Sequence, residues 1–137
     1  MKHWSERYVG TPFADHGRGP EGCDCYGLAR LVYRSELGIT LPDYEGYGSA
    51  DEHAEVAAII AGAAAGPDWV PCSGDREFDL AVFRRGRLTT HLGIVVVPGV
   101  MLHMVDEDCA KVERIAGPWA TRLAGYWRYV RARAPDG

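Results

Sequence analysis

The sequence has no apolar run long enough to cross a bilayer and no excess of basic residues. Its longest apolar stretch, residues 92–102, has only eleven residues and is interrupted by Pro98 and Gly99, whereas a membrane-spanning helix needs about 20. The formal net charge is -4, so the chain has no long-range attraction for phosphate backbones or anionic lipid. We therefore expect no nucleic-acid partner and no membrane partner.

The N-terminus also lacks the apolar run of a secretory signal, because Lys2, Glu6 and Arg7 place charges there. We expect the chain to be made in the cytoplasm. There are only four cysteines, and a cytoplasmic chain with an adequate core is expected to keep them as thiols. Cys23 and Cys25 form a Cys-x-Cys pair without a second close pair, which is not the usual ligand spacing of zinc. No metal and no cofactor are predicted.

What is present is enough for one folded unit. The chain has 137 residues, of which 47% are hydrophobic and 25% charged, so we expect a single domain over residues 1–137, with 131–137 as a frayed tail. A glycine-rich loop precedes a helix at 25–37, which Gly38 ends. A capping box at 49–52 predicts a second helix up to Gly66. Short segments rich in β-branched and aromatic residues follow, which predicts an α+β domain with its helices packed on a mostly antiparallel sheet; the predicted strands are 79–83, 91–97, 100–105, 111–115 and 126–130.

Cys25 stands where the loop becomes a helix. The unpaired N–H groups and the positive end of the helix dipole would stabilise its thiolate there, and would also bind the oxyanion that forms when a thiolate attacks a carbonyl. Asp24 would repel a thiolate, so its expected role is to cap those N–H groups. The alternative for Cys25 is a small buried hydrophobic side chain.

Two histidines lie in strongly apolar predicted strands, where an imidazole has no evident packing role. His91 is the candidate base for Cys25, and His103 is the candidate orienting residue that would hold the far nitrogen of His91. The alternative for each is a core histidine satisfied by the backbone. Side chains alternate along a strand, so a plain two-residue turn at Pro98 and Gly99 would put the histidines on opposite faces. We therefore predict a loop with an odd number of residues near Val97, with Gly99 left-handed, and His91 directly across from His103.

The ordered motifs resemble those of the NlpC/P60 cysteine peptidases. They are Gly10-Thr11-Pro12-Phe13, Asp24-Cys25-Tyr26-Gly27-Leu28, Gly38-Ile39-Thr40-Leu41-Pro42, Asp79-Leu80-Ala81-Val82-Phe83, His91-Leu92-Gly93-Ile94 and His103. The resemblance implies a papain-like core and hydrolysis of an amide bond in peptidoglycan stem peptides, commonly between γ-D-glutamate and a diamino acid. It makes Cys25 the nucleophile, His91 the base and His103 the orienting residue.

Further features are similar to the short peptidases encoded with phage tails and gene transfer agents: Gly17-Arg18, the aromatic after the cysteine, and Trp127-Arg128-Tyr129. That similarity implies a tail or baseplate hub protein as partner and a place in a tail-like particle. Within the loop before the nucleophile, His16 and Arg18 are candidate contacts for a stem-peptide carboxylate, the alternative being a solvated loop. Tyr26 is a further candidate substrate contact.

Two positions depart from the family pattern. Phe13 stands where a tyrosine is usual, which removes a hydroxyl donor near the oxyanion, and Tyr26 stands where a serine is usual. Two alternatives therefore stay open: an amidase or assembly protease of the same fold, and a structural tail component with a vestigial triad.

Overall fold

The computed structural model describes residues 3–14, 18–41, 69–85, 88–105 and 108–129. The predicted second helix, at 49–66, lies outside these residues, as do His16 and the tail at 131–137. A 3-10 turn at Trp4–Arg7 begins the described chain. Within the described ranges, no helix has the length and apolar character that a membrane span needs.

The predicted nucleophile helix is present as α1, Cys25–Val32. It continues into a single π-helical turn, Tyr33–Leu37, and ends at Gly38, whose φ of 67° is the left-handed conformation that favours glycine. The start and the stop were both predicted correctly, and the π turn was not foreseen. Leu28 and Val32 on α1 are fully buried, so this helix is held by packing as well as by its ends.

The described residues form an antiparallel six-stranded sheet, with the spatial order β3-β8-β4-β5-β6-β7, and a small two-stranded ribbon, β1-β2. The ribbon strands are β1 at Arg18–Gly19 and β2 at Gly22–Cys23. The strands of the sheet are β3 at Trp69–Cys72, β4 at Leu80–Arg85, β5 at Leu88–Val97, β6 at Val100–Met104, β7 at Ala110–Arg114 and β8 at Leu123–Tyr129. A short helix, α2 at Pro118–Arg122, precedes β8. All five predicted strands exist, whereas β3, the ribbon and α2 were missed.

Alternation along the strands divides the buried side chains between the two faces of the sheet. Leu92, Ile94 and Leu102 belong to the main core together with α1. The other face carries a smaller cluster of Ala81, Phe83 and Met101, with Trp119, Leu123, Tyr126 and Ile115 packed against it. Aromatic residues near the C-terminus therefore help to close both clusters.

The β5-β6 hairpin corrects the predicted turn. The connection is a two-residue turn at Pro98 and Gly99, since Val97 pairs with Val100, and the register then shifts before Val95 pairs with Met101. Val96 is thus the extra residue of a β-bulge, and Gly99 has the predicted left-handed φ, 82°. The predicted odd loop was wrong, but the extra residue of the bulge shifts the alternation of side chains by one position, as an odd loop would have done. His91 and His103 therefore share a face, offset diagonally rather than directly opposed.

Candidate active site

Cys25 is the first residue of α1 and is only 2% exposed. Asp24 precedes it in an extended conformation, and its Oδ1 accepts the N–H of Gly27 at 2.7 Å. The carbonyl of Asp24 accepts the N–H of Leu28 at 2.9 Å. The predicted cap is therefore confirmed, and it changes one expectation: because the N–H of Gly27 is held by the cap, that group does not serve an oxyanion.

The two histidines form a hydrogen-bonded pair on the sheet. Nε2 of His91 lies 2.9 Å from Nδ1 of His103, and the two rings meet edge to face with centroids 5.2 Å apart. His91 is half-buried and His103 is 1% exposed. The predicted contact, in which His103 holds the far nitrogen of the His91 ring, is thus present. Because Nε2 of His91 is engaged by His103, the nitrogen left to act as a base is Nδ1.

A carboxylate extends this pair beyond the residues that sequence reasoning selected. Nε2 of His103 lies 2.5 Å from Oε1 of Glu113 on β7. The register of β6 and β7 pairs Met101 with Glu113 and His103 with Lys111, so Glu113 shares the face of the histidines. Alternation within 110–114 makes Glu113 and Lys111 face one way, but only the pairing with β6 brings the carboxylate to His103.

Burial lowers the pKa of His103 below the ordinary value for histidine, and the hydrogen bond and charge of Glu113 oppose that shift. Lys111 on the neighbouring strand lowers the pKa further through its charge. The net direction keeps His103 neutral near pH 7, as expected of a residue that orients the base rather than carries charge.

Trp119 on α2 covers the histidine pair. Its ring stacks on His91 at 5.2 Å with an angle of 24° between the planes, and it meets the rings of His103 and Phe83 edge to face at 5.1 Å each. Such packing restricts the rotation of both imidazoles and excludes water from their hydrogen bond. The sequence analysis did not select Trp119 as a site residue.

The remaining site predictions have different outcomes. His16 lies outside the described residues, and of Arg18 the structure describes only the backbone, in β1. Tyr26 is 1% exposed within the main core. Their roles as substrate contacts stay predictions.

The loop before the nucleophile is tied to β2 next to Cys25. Phe13 bridges Cys23, the N–H of Cys23 donates to the carbonyl of Pro12 at 3.0 Å, and the N–H of Ala14 donates to the carbonyl of Cys23 at 3.1 Å. Cys23 itself is fully buried. The loop is therefore ordered at its contact with the strand that leads into α1.

The three proposed catalytic residues come from adjacent elements. α1 packs against β5 and β6, the strands that carry His91 and His103. All four cysteines, which lie within the described residues, are thiols rather than disulfides. A helix that begins with a thiol and packs on the strands that carry the imidazole pair fits the α+β architecture of a papain-like core.

Comparison with known proteins agrees with this class. The NlpC/P60 family model matches residues 10–128. A bifunctional muramidase/DL-endopeptidase of Bacillus subtilis is 30% identical over 123 residues, covering 89% of this chain and 33% of that protein. A probable endopeptidase p60 of Listeria seeligeri is 28% identical over 127 residues, covering 90% of this chain and 21% of that protein. The chain thus spans a third or less of the length of these relatives.

Solved structures agree on the fold. An NlpC/P60 family protein from Bacillus cereus superimposes with a TM-score of 0.65 at 22% identity, covering 92% of this chain and 38% of that one. The NlpC/p60 domain of the peptidoglycan hydrolase SagA superimposes with a TM-score of 0.59 at 20% identity, covering 90% of each chain. The chain belongs to the NlpC/P60 family.

Proposed function

We propose that this chain is a cysteine endopeptidase domain that hydrolyses an amide bond in peptidoglycan stem peptides, with Cys25 as nucleophile, His91 as base and His103 as orienting residue. The observation that carries the proposal is the oriented His91–His103 pair on the two strands against which the Cys25 helix packs. The family match over residues 10–128 supports the peptidase class, and the roles of the three residues rest on the resemblance of their motifs.

The proposed reaction uses the three residues in turn. Nδ1 of His91 takes the thiol proton, and Sγ of Cys25 attacks the amide carbon to form a tetrahedral intermediate, whose oxyanion is stabilised at the positive end of α1. His91 then gives the proton to the departing amine as the C–N bond breaks, which leaves a thioester on Cys25. A water molecule, deprotonated by His91, cleaves the thioester, releases the carboxylate product and restores the thiol.

The bond proposed is the one between γ-D-glutamate and a diamino acid. Its support is the resemblance of the ordered motifs, together with the printed activity of the Bacillus subtilis relative, a DL-endopeptidase. An amidase would instead cut the bond that joins the sugar to the stem peptide, and an assembly protease would leave peptidoglycan intact. The masses of the released fragments distinguish these three activities.

The test is digestion of isolated sacculi by wild type, Cys25→Ala and Cys72→Ala, followed by mass spectrometry of the soluble products. Cys72→Ala is the matched control, because Cys72 is a thiol on β3, outside the proposed triad. We expect fragments from wild type and Cys72→Ala and none from Cys25→Ala. Cleavage by Cys25→Ala at the wild-type rate would refute the proposal. If none of the three folded proteins releases fragments, the structural role with a vestigial triad is favoured.

A second measurement tests whether Cys25 and His91 act together. The triad requires Sγ of Cys25 within hydrogen-bond reach of His91, which would lower the pKa of the thiol through the imidazolium. We would follow alkylation of Cys25 by iodoacetamide between pH 4 and 9, using mass spectrometry to separate it from the other cysteines. His91→Ala should move the midpoint of the Cys25 profile to higher pH. An unchanged profile would show that His91 does not affect the pKa of the Cys25 thiol, and would contradict the proposed pairing of the two residues.

We also propose that the domain acts in a phage-tail-like particle, bound to a tail or baseplate hub protein after synthesis in the cytoplasm. The support is the similarity of Gly17-Arg18 and Trp127-Arg128-Tyr129 to the short tail-associated peptidases. Sedimentation of particles from the producing cells, probed with an antibody to this chain, tests the location. Recovery of the chain only in the fraction without particles would overturn it.

A further inference from the structure

Glu113 holds the outer nitrogen of a buried histidine. His103 is 1% exposed, while the side chain of Glu113 is 43% exposed. Both ring nitrogens of His103 are engaged, Nδ1 by His91 and Nε2 by the carboxylate. A half-exposed carboxylate therefore contacts the proposed catalytic centre through His103.

The direction of these hydrogen bonds follows from the chemistry of the groups. An ionised carboxylate only accepts, so Nε2 of His103 carries the proton, and a neutral imidazole has only one. Nδ1 of His103 must then accept, so Nε2 of His91 donates to it. A neutral His91 is left with an unprotonated Nδ1, which is the nitrogen that has to take the thiol proton.

Without the carboxylate, the opposite arrangement becomes available. His103 can then place its proton on Nδ1 and donate to Nε2 of His91, which puts the single proton of His91 on Nδ1. In that tautomer Nδ1 of His91 is already protonated and cannot act as a base. The two arrangements have the same ring positions and differ only in where the protons lie.

We propose that Glu113 is a positioning residue that selects the tautomers of His103 and His91 and so keeps Nδ1 of His91 basic. The consequence for catalysis rests on the proposed function, whereas the tautomers themselves do not. Other charged groups lie nearby: Lys111 faces His103 from β7, with its ammonium 2.8 Å from Asp108, and the guanidinium of Arg122 lies 5.6 Å from the ring centroid of Trp119. Within the described residues, Glu113 is the carboxylate that hydrogen-bonds to His103.

The direct test is two-dimensional ¹⁵N NMR of the imidazole nitrogens, which distinguishes protonated from unprotonated Nδ1 and Nε2. Wild type should show His103 protonated at Nε2 and His91 protonated at Nε2. Glu113→Ala should populate the opposite tautomers, and Glu113→Gln should lie between, because its amide oxygen can still accept from Nε2 of His103. Glu6→Gln is the matched control, since Glu6 is an exposed carboxylate in the N-terminal 3-10 turn.

Kinetics supply the second readout. Loss of a group that orients a reactive one typically costs about 10- to 100-fold in activity, and we expect Glu113→Ala to lose that much in kcat with KM unchanged, because no contact with substrate is removed. Glu113→Gln should recover part of the loss. A merely structural role predicts lower stability with unchanged tautomers.

The inference is overturned if Glu113→Ala keeps the wild-type tautomers, or if it changes them while kcat of an active wild type is unaffected. An inactive wild type would refute the proposed function, but the NMR comparison on the folded protein would still decide whether Glu113 selects the tautomers. The two failures are therefore distinguishable.

Discussion

Replacing Arg128 by methionine should destabilise the domain more than any comparable change at a surface ion pair. Asp79 is 1% exposed, and Arg128 donates two hydrogen bonds to its carboxylate, from Nε to Oδ1 and from Nη2 to Oδ2, each at 2.7 Å. The N–H of Arg76 also donates to Oδ2 at 3.1 Å. The pair fastens β8 to the turn that leads into β4, the strand beside the one that carries His91.

The expected loss of stability follows from the buried carboxylate of Asp79 that the substitution leaves without its charged partner. Arg128→Met removes both charged donors and leaves a buried carboxylate with only the neutral donors of the Arg76 N–H and the Cys72 thiol, and removing one partner of a buried pair costs about 3–5 kcal/mol. For a domain of this size, a loss of that order lowers the melting temperature by about 10–15 °C. Whole domains are stable by only about 5–15 kcal/mol, so the variant should lose a substantial fraction of its free energy of unfolding.

Arg7→Met is the matched control. Arg7 lies at almost the same distance from its carboxylate, 2.8 Å from Glu36, but its side chain is 66% exposed. The hydroxyl of Tyr8 continues to donate to Glu36 at 2.6 Å after the change. The side chain of Glu36 is itself 11% exposed, but it keeps the Tyr8 hydroxyl and its partner is solvated, so the loss should stay close to the contribution of exposed pairs, about 0–1 kcal/mol, and well below that of Arg128→Met.

The assay is equilibrium urea unfolding followed by circular dichroism, with a thermal scan as a check. A loss below about 1 kcal/mol in Arg128→Met would refute the reasoning, because it would show that the buried carboxylate of Asp79 can lose Arg128 with little change in the free energy of unfolding. The double variant Asp79→Leu/Arg128→Met supplies a second criterion. It should be more stable than Arg128→Met alone, since it removes the uncompensated charge.

Three further predictions concern the elements that position the site. Asp24→Ala should lose about 0.5–2 kcal/mol in urea unfolding because the N–H of Gly27 loses its cap, whereas Asp24→Asn should keep most of it. Gly93→Ala should cost about 1–3 kcal/mol in the same assay, because the new Cβ would lie 2.6 Å from Sδ of Met101 and 3.3 Å from Cβ of His103; unchanged stability together with unchanged imidazole NMR signals would contradict this. Burial lowers the pKa of His103, so the unfolded chain binds that proton more readily than the folded one, and stability should fall as the pH drops below about 6.5, the ordinary pKa of histidine. His103→Gln should weaken this dependence when urea midpoints at pH 7.5 and pH 5 are compared, and an identical slope would show that another group dominates.

The features that the sequence determined by itself are those with local causes. Asp24 marks the start of α1 because its side chain caps the N–H of a residue three positions later, and Gly38 marks the end because a left-handed residue is needed there. The β-branched segments became strands within a few residues of their predicted bounds. Cys25, His91 and His103 were selected because a thiol at a helix start and imidazoles in apolar strands are chemically conspicuous wherever the chain folds.

Only the tertiary structure decided how these pieces meet. The bulge at Val96 set the parity of the two histidines, the pairing of β6 with β7 brought Glu113 to His103, and α2 laid Trp119 over both rings. β3 depends on a partner distant in sequence, as does the insertion of β8 between β3 and β4. Caps and periodicity depend on neighbours along the chain, whereas register and side-chain contacts depend on which strands pair, and that choice is settled by the packing of the whole domain.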